Sequence, residues 1–216
     1  MVHQFGDWTG KSRAIRYNER NPKNIKEIME CLAPLELDVN DRFVDFGSGE
    51  GFHLLEAAKR VREAVGIDIS SFQMTRAHRH LRGVENVKLI KADFSERMLD
   101  AGQFTKGFSR RALHHLSDKE KASFFAHIGP SFLPGALFLL EDVICFPGWQ
   151  SAVVDFREGR SDPKLRVPDC LLQDIGEEFP TDAVTLEDAL AHGGFLALSC
   201  EQGSPFYGRI LAQRVI

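Results

Sequence analysis

A glycine-rich loop lies between a strand pattern and a helix pattern early in the chain. A short strand pattern spans 42–46, glycines follow at Gly47, Gly49 and Gly51, and leucine and alanine recur at helical spacing over 52–61. Glycine adopts positive φ and lets the backbone approach a ligand closely, while the free N–H groups of a helix N-terminus attract anions. We therefore expect this loop to bind a group that carries a carboxylate or a phosphate.

Strand and helix patterns keep alternating along the rest of the chain. We predict further strands at 64–69, 87–90, 104–109 and 136–144, and helices at 22–32, 70–82, 94–99, from 117 onward, 171–179 and 185–192. Two closing strands, 195–200 and 207–215, are joined by a short connection and should be antiparallel. The pattern predicts an α/β, doubly wound sheet, mostly parallel, whose ligand lies beyond the carboxyl ends of the strands.

The length and the apolar pattern favour a single domain. With 216 residues the chain suits one large core better than two small ones, so we predict one domain over 1–216. Within it, residues 1–40 form an N-terminal helical cap. Residues 145–168 lack apolar periodicity and are interpreted as an insertion or lid.

Charge and cysteine usage exclude several classes of protein. Lys and Arg total 27 against 31 Asp and Glu, so the net charge of −4 provides no basic footprint for nucleic acid. Four scattered cysteines, without a C-x-x-C pair or a histidine at zinc-ligand spacing, predict no metal site and reduced thiols in a cytoplasmic protein. We expect no membrane segment, and a homodimer is compatible with the sequence.

Two aspartates follow the next two strands. The loop is neither a dinucleotide fingerprint, since Phe52 stands where its third glycine belongs, nor a P-loop, since no G-K-S/T follows. Asp68 ends the second strand, where a carboxylate can accept hydrogen bonds from both ribose hydroxyls. Asp93 ends the third strand, where it can accept from an adenine amine while Phe94 lies against the base. Three strand ends thus suit three parts of one nucleoside.

These segments together resemble the class I S-adenosylmethionine-dependent methyltransferases. The likeness rests on VDFGSGEG at 44–51, GIDI at 66–69, KADF at 91–94 and LHHL at 113–116, and it covers nearly the whole chain. Within that superfamily the chain looks most like the small-molecule enzymes of the ubiquinone and menaquinone biosynthesis type. The resemblance implies a Rossmann-like, seven-stranded, mostly parallel sheet with an antiparallel last strand, and S-adenosyl-L-methionine as cofactor.

The resemblance also implies a set of cofactor contacts. The glycine loop would face the methionine part, Asp68 the ribose, and Asp93 with Phe94 the adenine. The residues transferred in this way are Tyr17, Asp45, Gly47, Ser48, Gly49, Gly51, Asp68, Ile69, Asp93, Phe94 and Ser109. Asp45 could equally orient the loop through its backbone N–H groups. The sequence departs from the family at Thr105, where the fourth strand of such enzymes usually has an Asp.

Candidates for the acceptor side follow the fourth and fifth strands. His115, in preference to His114, could deprotonate an acceptor, although both could simply be bonded into the turn. Arg110 could hold an anionic acceptor or be solvated. Glu141 and Asp142 should face the cleft, and Trp149 could close over an apolar acceptor.

We therefore predict a methyltransferase that transfers the sulfonium methyl group to an O, N or C atom of a small molecule. Two alternatives remain open at this point: a non-catalytic, regulatory protein that binds S-adenosylmethionine, and an RNA or protein methyltransferase.

Overall fold

A computed structural model describes residues 15, 24–97, 99–163, 165–168, 171 and 178–216. Its strands are β1 (Arg42–Phe46), β2 (Glu63–Asp68), β3 (Val87–Lys91), β4 (Phe104–Arg110), β5 (Phe132–Cys145), β6 (Thr181–Asp182), β7 (Phe195–Ser204) and β8 (Tyr207–Arg214). Its α-helices are α1 (Ile25–Leu32), α2 (Phe52–Ala58), α3 (Ser71–His80), α4 (Asp118–Ile128), α5 (Trp149–Arg157) and α6 (Ala183–His192). Short 3₁₀ turns lie at Ala33–Leu35, Leu113–His115 and Gly129–Ser131.

The strands form one sheet in the order β3-β2-β1-β4-β5-β8-β7, with the two-residue β6 paired to β5. All pairs from β3 to β5 are parallel, whereas β8 runs antiparallel to both β5 and β7. The predicted doubly wound sheet with an antiparallel last strand is therefore confirmed. Strand order reverses between β1 and β4, and a ligand of such a sheet binds beside this point.

Each face of the sheet has its own apolar layer, because neighbouring residues of a strand point to opposite faces. On one face, Phe43 and Phe108 pack with residues of α1, α2 and α3. On the other, Phe46 and Phe138 pack with residues of α4 and α6. Phenylalanines fill much of this second layer, in which Phe46, Phe124, Phe125 and Phe138 meet at ring centroid distances of 5.1 to 6.1 Å.

Helix starts follow the cap signals of the sequence. Ser117 and Glu120 form a capping box at the predicted start of α4, and the Ser70 side chain accepts from Gln73 N–H at the start of α3. The N-cap of α1 is Asn24, whose side chain accepts from Lys26 N–H. The predicted earlier start of this helix, at residues 21–22, lies outside the described residues.

Three segments differ from the sequence interpretation. Residues 94–96 form a turn stabilised by Asp93, not the start of the brief helix predicted for 94–99. Strand β5 begins at Phe132, four residues before the predicted start at 136. Its pairing with β4 continues through a β-bulge, where Gly135 adopts a φ of 86°. The segment 145–168 contains α5, although among the residues of this helix only Val153 is buried. Most of the helix predicted for 171–179 lies outside the described residues.

No helix in the described part of the chain has the length and apolar character that crossing a membrane requires.

Candidate active site

The glycine loop after β1 is held against the end of β2. Gly47 and Ser48 donate their N–H groups to the Ile67 carbonyl at 2.8 and 3.1 Å. Gly47 and Gly49 have φ of 81° and 54°, which a residue with a Cβ rarely adopts. A Cβ at Gly47 would lie 2.5 Å from the Ala112 Cβ, whereas one at Gly49 would meet open space. The loop is thus closed beside Gly47 and open beside Gly49.

Asp68 lies at the end of β2, beside this open part of the loop. One carboxylate oxygen accepts from Gly49 N–H and the other from Ser70 N–H, both at 2.8 Å. Burial raises the pKa of the Asp68 carboxyl, and the two N–H groups oppose that shift. A carboxylate has about four lone-pair positions. Each oxygen therefore keeps one position for a further donor.

Asp93 follows β3 at the same edge of the sheet. Its Oδ1 accepts from the N–H and the hydroxyl of Ser95, at 2.9 and 2.7 Å. The ring of Phe94 packs edge-on against Phe46 and Phe124, so it is partly committed to the apolar layer on the α4 side. The side chain remains half-buried.

Asp45 lies at the bottom of a cleft of about 440 Å³, including the solvent at its mouth. The loop residues 47–50, Gln73 of α3, and Phe108 with Arg110 of β4 line the same cleft. Asp45 is only 2% exposed. Burial, and after it the nearby Asp68, raise the pKa of its carboxyl to about 8, although Arg110 opposes the shift.

The remaining cofactor candidates occupy varied environments. Gly51, at φ 79°, is the N-cap of α2, and Ser48 is buried in the loop. Ile69 is half-buried directly after β2. The structure places Ser109 differently from the prediction: it is fully buried and its hydroxyl donates to the Phe46 carbonyl at 3.0 Å, so it joins β4 to β1. Tyr17 lies outside the described residues.

Alternating charges cross the ends of β4, β5 and β8 on the face covered by α1. Arg110 Nε donates to Glu141 at 2.6 Å, and Arg209 Nη2 donates to the other oxygen of Glu141 at 3.3 Å. The Cys31 thiol of α1 donates to that second oxygen at 3.1 Å. Burial opposes ionisation of Glu141, but these donors hold its pKa at about 2. Arg110 and Glu141, predicted as substrate residues, are therefore partners of each other.

Asp142 points to the opposite face, because it is the next residue of the same strand. The prediction that Glu141 and Asp142 face one cleft is thus wrong. Asp142 is 2% exposed, and its carboxylate accepts from His114 Nδ1 at 2.5 Å and from Leu113 N–H at 2.8 Å. Burial opposes ionisation, yet these donors, His114 first, lower the pKa of Asp142. His114 is therefore hydrogen-bonded within the turn that follows β4.

His115 is half-buried beside it, with the two imidazole centroids 3.9 Å apart. Trp149 is half-buried at the first position of α5, and its backbone N–H donates to the Phe146 carbonyl. Thr105, at the position of the missing Asp, donates its hydroxyl to Asp41 at 2.7 Å and accepts from Arg42 N–H. It therefore joins β4 to the start of β1, remote from the glycine loop.

Sequence reasoning missed several residues of these sites. Gln73 looks like a core position of a helix, Arg209 meets Glu141 through strand order, and Cys31 meets it through the packing of α1 on the sheet. Glu178, which lies beside His114 and His115, is far from both along the chain. No local pattern marks any of the four.

Comparison with known proteins agrees with this architecture. Residues 43–135 match the family model described as a methyltransferase domain. An S-adenosylmethionine-dependent methyltransferase from Aquifex aeolicus superposes with a TM-score of 0.69 at 15% identity, covering 94% of this chain and 98% of that one. No curated protein sequence matches the chain.

Two further solved structures illustrate the range of the fold. The geranyl diphosphate C-methyltransferase of Streptomyces coelicolor A3(2), solved with Mg²⁺, geranyl diphosphate and S-adenosyl-L-homocysteine, gives a TM-score of 0.70 at 15% identity, covering 94% of this chain and 82% of that one. A chain from the complex of the Haloferax volcanii Trm112 methyltransferase activator with its methyltransferase partner gives 0.69 at 14% identity, covering 97% and 96%.

The family match spans the glycine loop and both strand-end aspartates, and the fold extends the likeness over the remaining strands. The family match thus assigns residues 43–135 to a methyltransferase domain, and the solved structures show that the whole chain has the fold of the S-adenosylmethionine-dependent methyltransferases.

Proposed function

We propose that this methyltransferase acts on a small molecule, whose acceptor atom lies beyond the ends of β4 and β5. The observation that carries the proposal is the charged row of Arg110, Glu141 and Arg209 beside the glycine-loop cleft. Such a half-buried row can match polar groups of a small ligand. The net charge of −4, in contrast, does not favour binding to an RNA backbone.

The cofactor contacts are proposed as one set. The open positions on both oxygens of Asp68 would accept from the two ribose hydroxyls, with Ile69 beside them. Asp93 Oδ2 would accept from the adenine amine, since Ser95 uses Oδ1. The methionine part would lie along the loop of Gly47, Ser48, Gly49 and Gly51, above Asp45.

In this proposal, most of the rate acceleration comes from positioning the acceptor atom against the methyl group of the cofactor. The sulfonium is already a good leaving group, so holding the acceptor in line with its methyl group removes much of the barrier. Arg110 and Glu141 would orient the acceptor, and Trp149 would cover an apolar part of it. A base is needed only where the acceptor keeps its proton, and His115, then His114, are the residues predicted for that role.

Location and assembly stay expectations. Free thiols at Cys31, Cys145 and Cys200 support a reducing, cytoplasmic compartment. A homodimer remains compatible with the chain.

The decisive experiment measures the release of S-adenosylhomocysteine from S-adenosylmethionine with separated acceptor pools. A cell extract is divided into small metabolites, RNA and protein, and each pool is added to the purified full chain. We expect turnover with the small metabolites alone. Turnover only with RNA or protein would overturn the acceptor class, and binding of the cofactor without turnover in any pool would favour the regulatory alternative.

The ribose assignment has its own test by calorimetry. We expect Asp68→Asn to weaken S-adenosylmethionine binding at least tenfold, because a charge-assisted hydrogen bond contributes about 1.5–3 kcal/mol. Asp188→Asn, at an exposed position of α6, is the matched control and should bind as the wild type does. Equal affinity in both variants would refute the role of Asp68.

A further inference from the structure

Two histidines and a glutamate converge on the face of the sheet covered by α4 and α6. His114, His115 and Glu178 each place one ligand-type atom within 4.8 Å of the other two. His114 is buried, and the other two side chains are half-buried. The histidines belong to the 3₁₀ turn after β4, whereas Glu178 comes from a distant part of the chain just before β6.

Asp142 fixes the orientation of the first histidine. Its carboxylate accepts from three backbone N–H groups, those of Ala112, Leu113 and Val143, in addition to His114 Nδ1. An ionised carboxylate only accepts, so His114 Nδ1 carries a proton, and in the neutral imidazole Nε2 then presents a lone pair. Metal-binding histidines commonly donate their other ring N–H to a carboxylate in this way.

The backbone beside Glu178 is attached to the same turn. Phe179 N–H donates to the His114 carbonyl at 2.6 Å, and Lys121 Nζ donates to the Phe179 carbonyl at 2.6 Å. Lys121 is 1% exposed and also pairs with Asp118 at 3.0 Å. Glu178 is therefore held next to the histidines by bonds on both sides of the following residue.

The charges around this cluster favour a cation. Two carboxylates, Asp142 and Glu178, lie beside two imidazoles, and the ammonium of Lys121 is balanced by Asp118. A divalent ion would neutralise the two carboxylates. Imidazole together with carboxylate suits zinc and similar transition metals, whereas calcium needs six to eight oxygen ligands and magnesium an octahedron of oxygens.

We propose that His114, His115 and Glu178 form a binding site for one divalent transition-metal ion of the zinc class, with Asp142 orienting His114. Three protein ligands leave the fourth position of a tetrahedron open to water or to an oxygen of a small ligand. The site does not depend on the acceptor proposed above. It is, however, exclusive with a base role for His115, because a nitrogen bound to a metal cannot also take up a proton.

The test is metal binding by the full chain, freed of metal by a chelator and dialysis. We expect one Zn²⁺ per chain by calorimetry, and a Co²⁺ complex with the visible absorption of a tetrahedral site and without the charge-transfer band of a thiolate. His115→Ala and Glu178→Gln should each weaken Zn²⁺ binding at least tenfold. His192→Ala, at the exposed end of α6, is the matched control and should leave the affinity unchanged.

Circular dichroism and a thermal melt show that each variant is folded, and Glu178→Gln keeps the size of a half-buried side chain. Sub-stoichiometric Zn²⁺ binding by the wild type, a thiolate band with Co²⁺, or equal affinity in all three variants would overturn the proposal. A separate calorimetric titration measures S-adenosylmethionine binding to the metal-free protein, so that the proposed function and the metal site are tested independently. Loss of cofactor binding there would count against the proposed function and leave the metal site standing.

Discussion

At the scale of single residues, the donors and charges around each carboxyl group of the site decide whether it is ionised. Glu141 and Asp142 are neighbours in β5 and both stay ionised because several donors surround each of them. Asp45 is as buried as Asp142, but a second carboxylate at Asp68 lies nearby and Arg110 is shared with Glu141. Whether Asp45 is protonated therefore depends on the charges of Asp68 and Arg110 in the cleft.

We predict that Asp45 makes the protein less stable as the pH rises. Its pKa is about 8 in the folded chain against an ordinary value of 3.8, so the folded state binds more protons between these two pH values. The free energy of unfolding then falls with rising pH, by at most about 1.4 kcal/mol per pH unit. Asp45→Asn removes this dependence. Urea denaturation of both proteins from pH 5 to pH 9 measures the difference, which should favour the variant increasingly up to about pH 8 and then stay constant.

A difference between the two proteins that does not vary with pH would mean that Asp45 is ionised throughout. In that case Arg110 would pair with Asp45 of β1 and no longer with Glu141 of β5. The charged row would then include Asp45.

At the scale of an element, substitutions in the loop between β1 and α2 can distinguish the effect of backbone strain from the effect of lost ligand contact. Gly49 and Gly83 both have positive φ, and a Cβ at either one would meet open space. Each change to Ala should therefore lower the free energy of unfolding by a similar amount, about 1–2 kcal/mol. Only Gly49→Ala should weaken S-adenosylmethionine binding, by tenfold or more, because its Cβ would occupy space beside Asp68 that the ligand needs.

The measurement is calorimetry with S-adenosylmethionine, with Gly83→Ala as the matched control for strain. Similar cofactor affinities for the two variants would show that the loop shapes the backbone without contacting the ligand.

The elements also show what can be predicted from the sequence. The glycine loop, Asp68 and Asp93 could be placed because parallel strands end at one edge of the sheet, so that local patterns share a known position. Ser109 and Asp142 were misplaced because one residue of register exchanges the two faces of a strand. The cluster around Glu178 could not be found, since it depends on a long-range contact, between Phe179 and His114, that no local pattern encodes.

At the scale of the whole molecule, packing is uneven between the sheet and the segment after β5. Helix α4 buries Lys121, Phe124, Phe125 and Ile128, whereas α5 buries Val153 alone among its residues. Val154 and Phe156 of α5 remain 47% and 36% exposed. Local opening costs least where few apolar contacts are lost, so α5 should open without the rest of the fold.

Hydrogen exchange can therefore test whether residues 145–168 act as a lid. In the ligand-free chain we expect the amides of α5 to exchange much faster than those of α4. S-adenosylhomocysteine at a hundred times its dissociation constant stabilises the fold by about 2.7 kcal/mol, which slows globally exchanging amides of α4 roughly a hundredfold. Amides of α5 exchange by local opening and gain this protection only if the segment contacts the bound ligand. Slower exchange in α5 with ligand would support a lid, whereas an unchanged rate in α5 beside a slowed α4 would show that the segment stays open over the cofactor.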